Sequence, residues 1–321
     1  AVTLLLDRGA DFDKATQSGA TPLYIACQEG CTDAVQLLLQ RGAAVDRAER
    51  DGVTPLLIAS HKGHTDAMRL LLDHGADYNW VDQEDWGSVQ IACLDGHLDA
   101  VRLLLDRGAN INAARQNGAT PLYIACEVNQ HALVQFLLDR GAAVDQSDRD
   151  GWSPFLVACE EGNTAVARLL LDRGADVDGT NENGASPLFV ACQNDHVAAA
   201  TLCLDRGANV DLANQNGARP LYIAAQKGHA NAVRLLLERG ADVDRPKPNG
   251  ASEMGQVDAA RQLIIHGAQL DNAEVNSFTP HDWADYQGHE AMAAWLARIQ
   301  AVGWARYLSE PRYKLVVLRT L

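Results

Sequence analysis

AVRLLLDRGANINAARQNGATPLYIACE, residues 100–127, decides the fold, because it holds the end of one structural unit and the start of the next. AVRLLLD is a Leu-rich helix, and Arg107-Gly108 closes it with a cation and a residue free to turn left-handed, both suited to a helix C-terminus. NINAARQNGA is rich in Asn and Gly and reads as an extended, hairpin-like finger. Thr120-Pro121 then supplies a capping hydroxyl followed by a ring that suits the first helical turn, and LYIACE runs on as a short helix.

The same plan recurs along the chain. The glycine after the Leu-rich helix falls at Gly9, Gly42, Gly75, Gly108, Gly141, Gly174, Gly207 and Gly240, every interval being 33 residues. Finger glycines at Gly19, Gly52, Gly118, Gly151, Gly184, Gly217 and Gly250 keep that period, with Asp85 in the one vacant slot. Thr21-Pro22, Thr54-Pro55, Ser153-Pro154 and Ser186-Pro187 repeat the helix start, and Gly30, Gly63, Gly96, Gly162 and Gly228 stop the first helix of their units. A chain built this way stacks units that each contact only their neighbours.

With a Thr-Pro-Leu start, a Gly-His step, a Leu-rich second helix and a Gly-Ala-Asp close, the sequence resembles the ankyrin repeat from Ala1 to about Arg298. The resemblance implies an all-α fold: an ankyrin-repeat solenoid of stacked helix-turn-helix units with projecting β-hairpin-like fingers. It also implies a concave face that binds partners, and no intrinsic catalysis. The expected organisation is a partial N-terminal repeat at 1–11, seven consecutive repeats at 12–244, a truncated repeat at 245–271, a C-terminal capping repeat at 272–300 and a tail with a short helix at 301–321. The truncated unit has lost six residues of its first helix, so a hinge or break is expected there. Because the chain starts inside a unit, it reads as a fragment, and a signal or further repeats upstream stay open.

Departures from the pattern carry expectations of their own. The family's usual His after Thr-Pro-Leu is Tyr24, Tyr123 and Tyr222 here, with Leu57, Gln90, Leu156 and Phe189 elsewhere, so polar bonding between repeats should be uneven. Gly87-Ser88 replaces Thr-Pro in the third full unit, whose first helix should start with less help and fray first.

Composition bounds the partner. The 321 residues are 47% hydrophobic and 21% charged, a globular balance, with a formal net charge of −15. Nucleic acid is a poor partner for such a surface, whereas a protein with a basic patch would be steered in. No apolar run approaches the roughly 18 to 20 residues of a membrane span, so a soluble protein is expected. Seven cysteines, an odd number, and no opening secretory signal favour reduced thiols and an intracellular, cytoplasmic location, the nucleus remaining open. A monomer is expected.

The chemistry-bearing residues read as structural. Cys27, Cys93, Cys126, Cys159 and Cys192 share one helix position with Ser60 and Ala225, which marks a small residue at a tight contact. Stacked repeats lie about a helix diameter apart, roughly 10 Å, too far for a disulfide ladder. Cys203 replaces a core Leu, and a metal pair at Cys27 and Cys31 is disfavoured by the glycine between them. In the family pattern His64, His97, His229 and His289 carry the structural histidine. The column Asp46, Asn79, Asn112, Asp145, Asp178, Asp211, Asp244 and Asp271 does not converge on a cation. Phosphate loop, nucleophile elbow and HExxH are missing. The expectation is no catalytic residue, no metal ligand and no cofactor.

Positions that vary against this constant frame hold the specificity. They are the finger tips and the exposed ends of the first helices: Gln17, Ser18, Gln28 and Glu29; Arg50, Asp51, His61 and Lys62; Trp80, Glu84, Trp86, Leu94 and Asp95; Gln116, Asn117, Glu127 and Val128; Arg149, Asp150, Trp152, Glu160 and Glu161; Asn183, Gln193 and Asn194; Asn216, Gln226 and Lys227. Trp86 and Trp152 stand where other units have Ala20, Val53, Ala119, Ala185 and Ala218, and a large aromatic at a small-residue site is either an interface anchor or packed on an adjacent finger. The expected function is a non-catalytic protein–protein interaction scaffold. The alternative is a regulatory or substrate-adaptor array of a larger protein: a ubiquitin-ligase adaptor, an enzyme or a channel. Ligase adaptors of this kind carry a C-terminal suppressor-of-cytokine-signalling box, whose Leu-Cys-Arg and Leu-Pro elements the tail lacks. Asn79 and Asn112 also resemble the finger asparagines that ankyrin proteins offer to an asparaginyl hydroxylase.

Overall fold

The computed structural model describes residues 11–242. The partial repeat before them, the truncated repeat at 245–271 with its expected hinge, the cap at 272–300 and the tail at 301–321 lie outside the described residues. Fourteen helices in seven consecutive pairs make up the described chain. They are α1 (Pro22–Gln28) and α2 (Thr32–Gln40), α3 (Pro55–Lys62) and α4 (Thr65–Asp73), α5 (Ser88–Leu94) and α6 (Leu98–Asp106), α7 (Pro121–Glu127) and α8 (His131–Asp139), α9 (Pro154–Glu160) and α10 (Thr164–Asp172), α11 (Pro187–Gln193) and α12 (Val197–Asp205), α13 (Pro220–Lys227) and α14 (Ala230–Glu238). This is the all-α, stacked-pair architecture the period implies.

The chain divides into two compact units, Ala1–Val157 with Asp172–Ala175, and Ala158–Leu171 with Asp176–Leu321. Within the first, α1 packs on α2 and α3, α3 on α4 and α5, and α5 on α6 and α7, while α2, α4 and α6 follow one another in a second row. Within the second, α11 packs on α12 and α13, and α14 lies against both α13 and α12. Helices of seven to nine residues are too short to stand alone in water, where about 12 to 15 are needed. They persist because Leu23, Leu38, Leu56, Met68, Leu104, Leu122, Phe155, Leu170, Leu188 and Leu236, among others, are removed from solvent. Each such side chain contributes about 1.5–3 kcal/mol.

Thr21, Thr54, Thr120, Ser153 and Ser186 cap their helices as the sequence suggests, each hydroxyl accepting the N–H three residues on at 3.1–3.3 Å. Gly87 and Arg219 make no side-chain cap, and Ser88 Oγ is buried without a partner. Crowding explains the first case. A Cβ on Gly87 would stand 2.6 Å from Gln90 Oε1, and Gln90 is held in place by donating Nε2–H to the carbonyl of Ala113 in the next finger at 2.8 Å. Gln90 therefore supplies the repeat-to-repeat bond that Leu57 and Phe189 cannot, and the cap is what gives way. Gly87→Thr should be worth about 1 kcal/mol more in a Gln90→Leu background than alone. Urea unfolding of the two single variants and the double variant measures that coupling, and additive effects would refute the account.

The fingers are turns rather than strands. Among the described residues the one β-bridge pairs Val81 with Gly87, and successive fingers are joined by single backbone bonds. Arg50 N–H donates to Ser18 O at 3.0 Å, Gln83 to Asp51 O at 3.1 Å, Arg149 to Asn117 O at 2.8 Å and Gln215 to Asn183 O at 3.0 Å. The rung between the third and fourth fingers is different. Asp85 sits in the glycine slot at φ 64, and its carboxylate, instead of the carbonyl of Glu84, accepts the N–H of Gln116. Arg115 takes up the freed carbonyls, reaching Glu84 O at 3.0 Å and Asp85 O at 3.3 Å.

Candidate partner interface

Three columns of polar residues face the neighbouring repeat rather than solvent chemistry. The Nε2 atoms of His64, His97 and His229 lie 3.2, 3.1 and 3.0 Å from the carbonyls of Gln28, His61 and Gln193, at the ends of the preceding first helices. The His64 and His97 rings lie so close over the preceding turn that a Cβ would crowd them: on Gly30 it would be 2.7 Å from His64 Nδ1, and on Gly63 2.6 Å from His97 Nδ1. Where the second unit places Asp195 at φ 58 in that slot, its carboxylate comes to 4.0 Å from His229 Nδ1. In the acidic column, Asp46, Asn112, Asp178 and Asp211 accept backbone N–H groups of Asp77, Ala143, Asn209 and Asp242 at 2.9–3.2 Å. Those oxygens are turned to the next finger. Burial is the main cause raising the Asp46 carboxyl above its ordinary value, the Asp77 N–H partly offsetting it.

A third column escaped the sequence reading, which took the Arg of each Leu-Leu-Leu-Asp-Arg-Gly run only as a helix-end cation. Arg107, Arg140 and Arg173 pair with Asp73, Asp106 and Asp139 of the preceding repeat at 2.9, 2.9 and 2.7 Å, and Arg239 pairs with Asp205 at 2.8 Å. The signal was present, since Asp and Arg recur together at the same spacing. Phe136, in a Leu position, is flanked by the guanidiniums of Arg102 and Arg140 at 4.7 and 4.8 Å from its ring centroid.

All seven cysteines are free, and six are buried. Burial pushes the Cys27 thiol up to about 12 and raises those of Cys93, Cys126, Cys159 and Cys192. Cys159 and Cys203 bring their sulfurs to 3.8 Å, a proximity the column pattern does not reveal because Cys203 belongs to the second helix. A buried thiol held in its protonated form is a poor nucleophile. Iodoacetamide should therefore modify Cys31 alone in the native protein and all seven thiols after unfolding, as counted by intact mass. Rapid native labelling at a second site would contradict this burial.

Most of the variable positions are exposed. Arg50, Asp51, Trp80, Glu84, Gln116, Asn117, Arg149 and Asp150 are exposed on the fingers of the first unit, and His61, Lys62, Leu94 and Glu127 at the ends of its first helices. His61 Nδ1 and Asp95 Oδ2 are brought together at 2.7 Å. In the second unit Glu161, Asn183, Asn194, Asn216 and Lys227 are exposed, Glu160, Gln193 and Gln226 half-buried. Asn194 Nδ2 reaches the Glu160 carbonyl at 3.3 Å. Trp86 and Trp152 are half-buried. The Arg115 guanidinium lies 3.5 Å from the Trp86 ring centroid, and Trp80 donates Nε1–H to Gly52 O at 2.9 Å. Both indoles are thus braced by adjacent fingers while retaining exposed surface. Burial, followed by the Glu49 and Asp51 carboxylates, raises the Tyr24 hydroxyl, so this tip carries a negative field.

A cavity of about 370 Å³ opens beside Pro22, Ile25, Ala26, Cys31, Ala34 and Leu38. Ile25 is 42% exposed, whereas its equivalents Ile58 and Ile124 are 9% and 2% exposed. The apolar lining is the face that the later repeats bury by stacking. Among the described residues no group of His, Cys, Asp or Glu could hold a metal ion, and no helix is long and apolar enough to cross a membrane.

Stacked helix pairs, a structural histidine column and variable exposed tips define an array of the protein-interaction class. Residues 1–82, 46–115, 89–181 and 174–247 match the family model of ankyrin repeats, and the chain belongs to the ankyrin-repeat family. Among solved structures it is similar to the human ASB11 ankyrin repeat domain, at 27% identity and a TM-score of 0.63, covering 69% of this chain and 99% of that one. In all, 553 chains of solved structures match, so a structural match identifies the fold and not a partner. No curated protein matches the chain. Ankyrin repeats are in general protein–protein interaction modules, and their domains are typically non-catalytic.

Proposed function

We propose that the array is a non-catalytic scaffold that binds a partner protein through its finger tips and the exposed ends of its first helices. One observation carries this reading. The repeated histidines, aspartates, arginines and cysteines are largely engaged within or between repeats, whereas most of the residues that differ from repeat to repeat are exposed and the rest half-buried. An intracellular setting accords with seven free thiols.

Affinity capture from native lysate tests the reading, using the whole chain and its Trp86→Ala, Trp152→Ala double variant side by side, with retained proteins identified by mass spectrometry. A partner retained by the chain and lost with the variant supports it. Capture of no protein by the intact chain, at an array concentration of tens of micromolar, counts against it. Recovery of ubiquitin-ligase subunits with the chain would favour the adaptor reading of a larger protein instead.

A further inference from the structure

The finger at 77–87 differs from the others in charge and in exposed surface. It carries four carboxylates and no guanidinium, whereas the finger at 112–120 has no carboxylate and one guanidinium; the neighbouring finger at 46–54 adds three carboxylates and two guanidiniums. Some of this charge is used locally. Asp82 Oδ1 accepts the N–H groups of Glu84 and Trp86 at 2.9 and 2.8 Å, and the Asp85 carboxylate accepts from Gln116. The carboxylates of Asp51 and Glu84 are exposed, and among the described residues neither has a hydrogen bond or an ion pair.

Beside these two carboxylates stand two uncovered apolar side chains, Trp80 at 38% and Val81 at 47% exposure. The Trp80 indole is held by its bond to Gly52 O, directly after Asp51 in the chain, while Gln83 N–H donates to Asp51 O. Indole and carboxylates are therefore fixed on the same pair of tips. The other indole of the finger, Trp86, already carries a guanidinium from within the chain. No cation of the described residues stacks on Trp80.

We propose that Trp80, Val81, Asp51 and Glu84 form a docking surface for an extended segment of a partner protein that places an Arg or Lys beside an apolar side chain. This deepens the scaffold reading and rests on it. Both halves of the ligand are required by the surface. A cation meets the unpaired carboxylates and an aromatic face, and an apolar neighbour covers Val81 and the rest of the indole. A wholly apolar segment would strip water from the two carboxylates without replacing it. A polyanion would be repelled, and a basic segment lacking apolar side chains would leave Trp80 and Val81 wet.

The test uses the whole chain and a fluorescein-labelled peptide, Gly-Arg-Leu-Arg-Leu-Arg-Gly, followed by fluorescence anisotropy at about 0.15 M salt, where exposed charges beyond about 8 Å are screened. The Val81→Ser, Glu84→Gln variant should bind at least tenfold more weakly. Both side chains lie outside the bonding network, so its melting temperature should be unchanged. Asp66→Asn removes the same charge from α4 and should change affinity less than twofold. Peptides with Glu for Arg, or Ser for Leu, should bind at least tenfold more weakly than the parent. Equal weakening by Asp66→Asn, equal binding of either control peptide, or no binding of the parent peptide would overturn the proposal. A concentration-dependent dimer abolished by Val81→Ser, Glu84→Gln would overturn it too, by assigning the surface to a second copy. Lysate capture that survives this variant removes the surface and leaves the scaffold reading intact, whereas capture of nothing by the intact chain removes the reading itself.

Discussion

Gly118→Ala is expected to destabilise the array by about 3 kcal/mol or more, from left-handed strain of about 1–2 kcal/mol and overpacking of about 1–3 kcal/mol. Gly118 adopts φ +91, and a Cβ there would lie 2.7 Å from both the Asp148 Cα and the Arg149 nitrogen. These are backbone atoms of the next finger, joined to this one by the 2.8 Å bond from Arg149 N–H to Asn117 O. Neither side can swing away as a side chain would. Gly141→Ala is the matched control: its φ is +86 and nothing lies within 4 Å of the added carbon, so it should show the strain alone. Urea unfolding of both variants, with hydrogen exchange locating the loss at residues 115–119 and 148–152, measures the difference. Equal destabilisation by the two would show that finger-to-finger contact contributes nothing. Because coupling in a repeat array acts between nearest neighbours, the loss should also broaden the unfolding transition.

For the pair Trp86→Ala, Trp152→Ala, partner affinity should fall by about 2 kcal/mol, some 30-fold, since buried aromatics dominate interface hot spots. The two residues have different starting points. Trp86 is braced by Arg115 at 3.5 Å, so part of its effect passes through the loss of a stacked guanidinium. The Trp152 amide bonds Asp148 Oδ1 at 2.8 Å through the backbone, a bond that alanine keeps. Comparing the single variants by titration calorimetry against the captured partner separates these contributions. Undiminished affinity in a folded double variant would move the interface off these two residues. A Trp86→Phe variant, which preserves an aromatic face for Arg115, should recover part of the loss if bracing is what matters.

How much of this was legible beforehand follows from the kind of interaction involved. Helix starts were readable wherever the determinant is local: a hydroxyl, a proline and the N–H three residues on all lie within four positions of the chain. The missing cap at Gly87 was readable for the same reason. Its cause was not, because the Gln90 side chain and the Ala113 carbonyl that displace the cap are 23 residues apart. The variable positions proposed for binding emerged from comparing repeats within one chain, which separates what the fold requires from what it leaves free. That comparison could not rank them. Trp80, Trp86 and Trp152 look equivalent as letters, yet one is an exposed indole tied to Gly52, one lies under a guanidinium, and one is half-buried at its own turn.

By itself the sequence determined the family, the length of the repeat and the register of the described helices, because a strict 33-residue period makes the local rules of one unit apply to all. The tertiary structure alone decided which polar groups are used between repeats: the Arg–Asp pairs, the histidine-to-carbonyl contacts, the approach of Cys159 to Cys203 and the altered rung at Asp85. These join residues about one repeat apart or more, at distances set by how one helix pair rests on the next. Local propensity carries no information about that spacing, which packing of the buried apolar faces imposes.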